Sequence, residues 1–380
     1  MTLNEVRELF PHIKGGKIYF NHAATGPFSK NVLSMINEYM LQRSETNIDN
    51  FPELVKIAGE VKNYLCQMLN CSSDRIAFVD NTSNGLNILA QGIKWKKGDS
   101  IILNDIEFPS NVYPFLNLEK DGVEVEFVKS KDGIVSADDI INSIKPSTKL
   151  ISISHVQFLT GYRADLEKIG NVCREKEIIL SVDAIQGLGA FTLDVEKNKV
   201  DFISCGTAKW LLGMQGFAFI YISEKLQNSL QPKYVGWLSV ENAWNHLEYN
   251  LKLKKTADCF QGGTINALGV FGLLPSLKLF PEFGYKNVEE RILDNSTHFT
   301  KKLLGISIHP ILEHCKKENL SGIVSFKHRN AKMIFEELEK KQIYCSVREG
   351  MVRLSPHFYN TKEEIDIVVE EIKNIPCGSQ

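Results

Sequence analysis

The chain predicts an α/β fold: a mostly parallel seven-stranded sheet with a smaller α+β domain at the C-terminus. Three observations carry that expectation. Between about Arg75 and Ser223, short apolar runs alternate with amphipathic stretches, the rhythm of strand–helix–strand units. Several of those runs are apolar on both faces, which suits strands covered by helices on both sides. After Gln231 the rhythm changes to long helical stretches and a few short strands.

Seven runs, mostly rich in Ile, Val and Phe, are the strand candidates: residues 75–79, 100–103, 123–128, 150–154, 178–182, 202–204 and 217–222. Helices are expected over 53–69, 84–92, 109–120, 136–144 and 166–176. Further on, 266–279 (kinked at Pro275) and 288–304 read as helices. Residues 323–326, 344–347 and 351–354 read as strands, and 362–374 as a closing helix. No low-complexity linker separates the halves. Two closely packed domains are expected, 16–255 and 256–380, the second also taking residues 1–15.

Composition narrows the function classes. The chain has 380 residues, 43% hydrophobic and 24% charged, enough to bury a sizeable core. A formal charge of -2 gives no basic field for nucleic acid. No apolar stretch approaches a membrane span, and the first 17 residues are polar and charged, unlike a secretory leader. Eight scattered cysteines form no C-x-x-C pair. A cytoplasmic protein with reduced thiols and no metal site is expected.

In an open parallel sheet, ligands sit beyond the carboxyl ends of the strands. Asp183 closes an apolar run, and such an acid needs a cationic partner or must cap a helix. Gln186 follows three residues later. Lys209 lies just past another run, after Gly206 and Thr207 and before Trp210; desolvation there favours Schiff-base chemistry, although most lysines are simply solvated. Thr82 and Ser83 open a helix, where N–H groups and hydroxyls hold phosphate or merely cap. Phe108 follows a fourth run and either lies over a planar ring or joins the core. Neither a Walker loop nor a G-x-G-x-x-G fingerprint is present, which argues against a nicotinamide-dependent enzyme. Each signal is weak alone; four in this order on four strands of one sheet are not expected by coincidence.

In that order, and in the stretches Tyr19-Phe20-Asn21-His22-Ala23-Ala24, Ser181-Val182-Asp183-Ala184-Ile185-Gln186-Gly187, Lys209-Trp210-Leu211-Leu212-Gly213 and Arg353-Leu354-Ser355-Pro356-His357, the sequence resembles the class V aminotransferase family. That family comprises fold-type I pyridoxal 5′-phosphate (PLP) enzymes, among them cysteine desulfurases, selenocysteine lyases, kynureninases and isopenicillin N epimerase-like proteins. The resemblance implies that Lys209 is the Schiff-base lysine. It puts Asp183 at the pyridine nitrogen, Gln186 at the phenolic oxygen, and Thr82 and Ser83 at the phosphate. Phe108 takes the ring-stacking place, and Gln157 a polar place facing cofactor and substrate. Trp237 and Thr264 resemble residues that reach the phosphate, the Thr from a neighbouring subunit, so a homodimer is implied. Arg353 matches the arginine that binds the substrate carboxylate.

His22 is a further candidate for the substrate, Arg348 for a second anion contact, and His155 for holding backbone. Three departures stand out. Gly206 and Ala208 replace a hydroxyl residue and a histidine, with Thr207 a candidate to compensate. The desulfurases carry a mobile catalytic cysteine before the C-terminal arginine. Here the nearest is Cys345, inside an expected strand, which reads as a packing cysteine. The expected activity is therefore a PLP enzyme acting on an amino acid or related amine, with no nucleic-acid or membrane partner. Transamination is the first expectation, C–S lysis or epimerisation the alternatives, and a non-catalytic PLP-fold binding protein the rival from another class.

Overall fold

The computed structural model describes residues 1–375; Cys377 lies outside them. Seven strands form the main sheet: β1 (Ile76–Val79), β2 (Ser100–Asn104), β3 (Glu124–Val128), β4 (Thr148–Ser154), β5 (Ile179–Asp183), β6 (Phe202–Gly206) and β7 (Ala218–Ile222). Their spatial order is β1-β7-β6-β5-β4-β2-β3. β7 pairs antiparallel with both neighbours and every other pairing is parallel.

Alternation along each strand builds two cores. Ile102, Ile151, Leu180 and Ile203 face the helices Phe51–Leu69, Leu166–Glu175 and Ala267–Phe283. Ile101, Leu103, Leu150 and Phe202 face the helix Thr82–Gly92 and the segment around Phe115. A third core forms over a smaller antiparallel sheet of Val324–Lys327, Met351–Leu354 and Ser346–Arg348. The chain's beginning joins that end. Ile18–Tyr19 pairs with Ile343–Tyr344, and Phe20 lies in the third core.

Some expectations change. Residues 109–120 form no continuous helix but two 3-10 turns around the single helical turn Tyr113–Leu116. Pro114 lacks the N–H that a continuous helix would bond to the carbonyl of Ser110, whereas Pro109 suits a first-turn position. The helix Ala267–Phe283 carries both Pro275 and Pro281 inside it and outruns the expected end. Residues 344–347 are not one strand; Cys345 separates Ile343–Tyr344 from Ser346–Arg348. The helices Lys30–Leu41 and Ala331–Lys340 were not expected. Among the described residues, no helix is long and apolar enough to cross a membrane.

Candidate functional site

The parallel strands β2, β4, β5 and β6 end on one edge, and Ser154, Asp183 and Ser204 pair in register there. β1 ends at the same edge and delivers Asn81, whose side chain accepts from Asn84 N–H and caps the helix Thr82–Gly92. The first-turn N–H groups of that helix have no partners within it. Ser83 Oγ donates to Ser110 Oγ at 2.9 Å. Thr82 Oγ1 accepts from Gly206 N–H at 3.0 Å. This contact explains Gly206: a Cβ there would press on Ile185 Cδ1 at 2.9 Å and Thr82 Oγ1 at 3.2 Å.

Lys209 sits in the turn just after β6. Its Nζ lies 5.5 Å from the centroid of the Phe108 ring, and that ring meets Phe158 edge-on at 5.2 Å. The turn is pinned from several sides. Gly26 N–H donates to Ala208 O at 2.7 Å, and a Cβ on Gly26 would stand 2.4 Å from Lys209 O. His357 Nε2 bonds Trp210 O at 3.0 Å. The Thr207 hydroxyl points at the carbonyls of Met214 and Phe217, both at 2.9 Å, so it turns into the loop rather than replacing the missing hydroxyl and histidine. Burial lowers the Lys209 amine to about 8, opposed by the Asp183 charge and helped by Arg353.

Asp183 is 2% exposed, forms no ion pair among the described residues, and accepts one N–H, from Ile185 at 3.0 Å. Burial pushes its carboxyl up to about 7. Arg353 is also 2% exposed. Its guanidinium donates to Phe158 O at 2.7 Å and Ser346 Oγ at 3.2 Å, and meets no acid among the described residues. Burial and then the Arg348 charge lower it to about 10. Arg348 itself is exposed and pairs with no acid among the described residues.

Glu107 has no part in the sequence-based site, yet it stands at its centre. It is a buried acid that accepts at Oε1 from Asn104 Nδ2 (2.7 Å), Ser154 N–H (2.9 Å) and Gln157 Nε2 (2.7 Å). Its Oε2 accepts from Asn111 Nδ2 (3.0 Å) and the Ser154 hydroxyl. An acceptor-only carboxylate forces Gln157 to present its NH₂ inward. Gln157 Oε1 therefore points away, buried and without a partner. The signal available in sequence was the one used for Asp183, an acid beside a strand end.

Gln186 accepts from Trp210 Nε1 at 2.8 Å and donates to Ala23 O at 2.9 Å, leaving one amide hydrogen for any phenolic oxygen. His22 has no exposed surface; its Nδ1 bonds Ser355 O at 2.9 Å and its Nε2 bonds Tyr359 Oη at 2.6 Å. No nitrogen of His22 is left for a substrate, and burial holds the ring neutral. His155 donates its N–H to Asp183 O at 2.9 Å while burial lowers its ring to about 3. Trp237 and Thr264 line two other clefts. Thr264 is exposed in one of 570 Å³ with Asp80, Asn84 and Gln261. Trp237 packs edge-on against Trp244 at 5.4 Å beside one of 660 Å³. Cys345 is 3% exposed, and burial pushes its thiol up to about 12.

A probable cysteine desulfurase of Methanothermobacter thermautotrophicus is 28% identical, over 99% of this chain and 98% of its own length. An uncharacterized aminotransferase of Bacillus subtilis, YcbU, is 27% identical over 85% of both chains. The solved cystine C–S lyase C-DES, in complex with its product cysteine persulfide, superimposes with a TM-score of 0.88 at 23% identity, covering 96% of this chain and 99% of that one. The family description "Aminotransferase class-V" matches residues 18–368. With nearly its whole length matched, the chain belongs to the class V aminotransferase family, and it is an enzyme whose cofactor is PLP.

Proposed function

We propose that the protein is a PLP-dependent lyase that eliminates sulfur from an amino acid without using a thiol of its own. One observation carries this reading over a persulfide-forming desulfurase. The strands Ser346–Arg348 and Met351–Leu354 are joined by only Glu349 and Gly350. The chain thus reaches Arg353 through a tight hairpin, with Cys345 buried at its base. The sulfur-acting relatives and the C–S lyase neighbour support the substrate class.

The residues present fit the cofactor. Asp183 is a buried acid in need of a cation, which a protonated pyridine nitrogen supplies. Gln157 Oε1 is a buried acceptor in need of a donor. Bound PLP supplies an electron sink for the Cα carbanion. Lys209 anchors the cofactor and then moves the proton at Cα, with a pKa near the working range of a general base. Phe108 covers the ring, Gln186 offers its remaining amide hydrogen to the phenolic oxygen, and the first turn at Thr82 and Ser83 takes the phosphate. Arg353 holds the substrate carboxylate in the paired geometry a guanidinium allows. The Cα–H and Cβ–S bonds break, sulfur leaves as a thiolate or persulfide, and the remainder hydrolyses to ammonia and an α-keto acid.

The exposed Thr264, with Trp244, Leu247 and Tyr249 at 64%, 85% and 92% exposure, supports a homodimer in which a second copy covers this face and Thr264 reaches the partner's phosphate, Trp237 being the further candidate for a phosphate contact. Transamination uses the same Lys209 and Arg353. A screen of amino acids with and without an α-keto acid acceptor separates the two. Without an acceptor, cysteine should give keto acid, ammonia and sulfide, and cystine should give keto acid, ammonia and cysteine persulfide. Amino transfer that depends on the acceptor, with no sulfur released, would replace the lyase reading by an aminotransferase.

A further inference from the structure

Seven cysteines lie among the described residues. Cys173, Cys205, Cys259 and Cys345 are buried, and Cys315 is half-buried. Cys66 and Cys71 are both half-buried, and they are set together by the end of one helix. The helix Phe51–Leu69 stops at Asn70, which adopts the left-handed conformation (φ 54°, ψ 54°). Cys71 N–H then reaches back to Cys66 O at 3.3 Å. This six-residue closure is the Schellman turn, whose side chains at the fourth-last helical position and the second residue beyond the end are brought into contact. Cys66 and Cys71 occupy those two positions. A disulfide needs Cα atoms roughly 4.4–6.8 Å apart, so it suits two residues whose backbones a turn closes onto each other.

We propose that Cys66 and Cys71 form a dithiol that closes reversibly to a disulfide by exchange with low-molecular-weight disulfides, Cys66 attacking and Cys71 resolving. The two thiols are near enough for each to act on the other: their interaction lowers Cys66 and raises Cys71, and the Lys62 charge, one turn earlier, adds to the lowering of Cys66. The Asp74 charge disfavours both thiolates, and the Glu196 charge disfavours that of Cys71. The Cys66 thiolate attacks one sulfur of the small disulfide and releases the other as a thiolate. The Cys71 thiolate then attacks the Cys66 sulfur and releases the second. The two cysteines lose two electrons and two protons, and one small disulfide becomes two thiols. The backbone is already closed here, so the bond forms without moving the helix end. That end is further held by Leu193 and Val195 N–H groups on the Met68 and Leu69 carbonyls, both at 2.9 Å. The proposal stands apart from the lyase reading, because none of these residues belongs to the Lys209 site.

The test uses the full-length holoenzyme and oxidised glutathione, followed by alkylation and non-reducing tryptic digestion. Cleavage after Lys62 and Arg75 leaves both cysteines on one peptide, residues 63–75. That peptide should lose two hydrogens, resist alkylation, and regain two alkylatable thiols after dithiothreitol. In Cys71→Ser the same peptide should carry one glutathione on Cys66. A wild-type peptide that keeps both thiols, or that carries glutathione on both, overturns the proposal. A Cys66 that takes no glutathione in Cys71→Ser overturns its role as attacker.

Discussion

Two buried carboxylates flank β4 at the same edge of the sheet, and the protein treats them oppositely. Glu107 receives donors from Asn104, Asn111, Gln157 and twice from Ser154. Asp183 receives one N–H and is pushed up to about 7. An acid satisfied from within holds structure; an acid left short of donors is prepared for a cation that the chain does not supply. The arginines divide in the same way. Arg7 pairs with Glu364 at 2.7 Å and Arg163 with Glu289 at 3.1 Å, whereas the more deeply buried Arg353 meets no acid among the described residues. The groups left unsatisfied, together with Lys209, mark the site.

The largest effect is expected at Lys209. Lys209→Ala removes both anchor and proton carrier, and turnover should fall by at least ~10³-fold. The visible band of the bound cofactor should no longer be trapped on the protein by borohydride. Covalent retention after reduction would move the anchor to another lysine.

Asp183 comes next. Asp183→Ala should slow turnover by ~10²–10³-fold, about 3–4 kcal/mol of transition-state stabilisation. A near-normal rate with PLP bound would remove Asp183 from the site. Its pH signature is independent of turnover. In cofactor-free protein the folded carboxyl titrates near 7, against an ordinary 3.8, so the folded state holds its proton more tightly. Stability is then full below about pH 4 and falls as the pH rises from about 4 to about 7, by up to ~4 kcal/mol. Asp183→Asn should flatten that slope in denaturant titrations. A slope that survives in Asp183→Asn would mean that the acid is already satisfied.

Much of this edge was legible in the sequence, because an acid or a lysine beside an apolar strand is chemically conspicuous. Asp183 and Lys209 are such residues, Arg353 was reached through the family resemblance, and all three are buried or half-buried with no ion-pair partner among the described residues. What tertiary contact decides was not legible. The His22 ring is held by Ser355 and Tyr359, and the Gln186 amide by Ala23 and Trp210, partners far away along the chain. Side-chain direction in a loop was equally hidden, as Thr207 shows by facing Met214 and Phe217. The antiparallel course of β7 was readable in principle. Residues 207–217 are too few for the crossover of about a dozen or more that a parallel neighbour requires.

Arg353 tests the unsatisfied side of the contrast on the substrate. Arg353→Lys keeps the charge but loses the planar fork, so kcat/KM for carboxylate-bearing amino acids should fall roughly 10–100-fold, with PLP binding little changed. Equal losses for amines that lack a carboxylate would show that the guanidinium serves the fold, through Phe158 and Ser346, rather than the substrate.

Glu107→Gln probes the satisfied side, where the smallest change in rate is expected. Glutamine at 107 keeps one acceptor oxygen but brings its own NH₂ against donors that already face it. One donor of the set must turn away or lose its partner, at about 1–3 kcal/mol of stability. Gln157 has the most freedom to respond, since its amide can rotate to give its oxygen to the new NH₂. Its NH₂ would then face the position where the wild-type protein offers the unpartnered Oε1. A donor in place of an acceptor beside the bound cofactor should shift the balance of its visible bands and alter the pH dependence of that balance. Turnover should fall by only about tenfold or less. Adding Gln157→Ala separates the routes. If the spectral shift comes through Gln157, Glu107→Gln should cause no further shift in the Gln157→Ala background. If the shift persists there, Glu107 acts on the cofactor through its charge beside Asp183, and the two acids are less different than their hydrogen bonds make them.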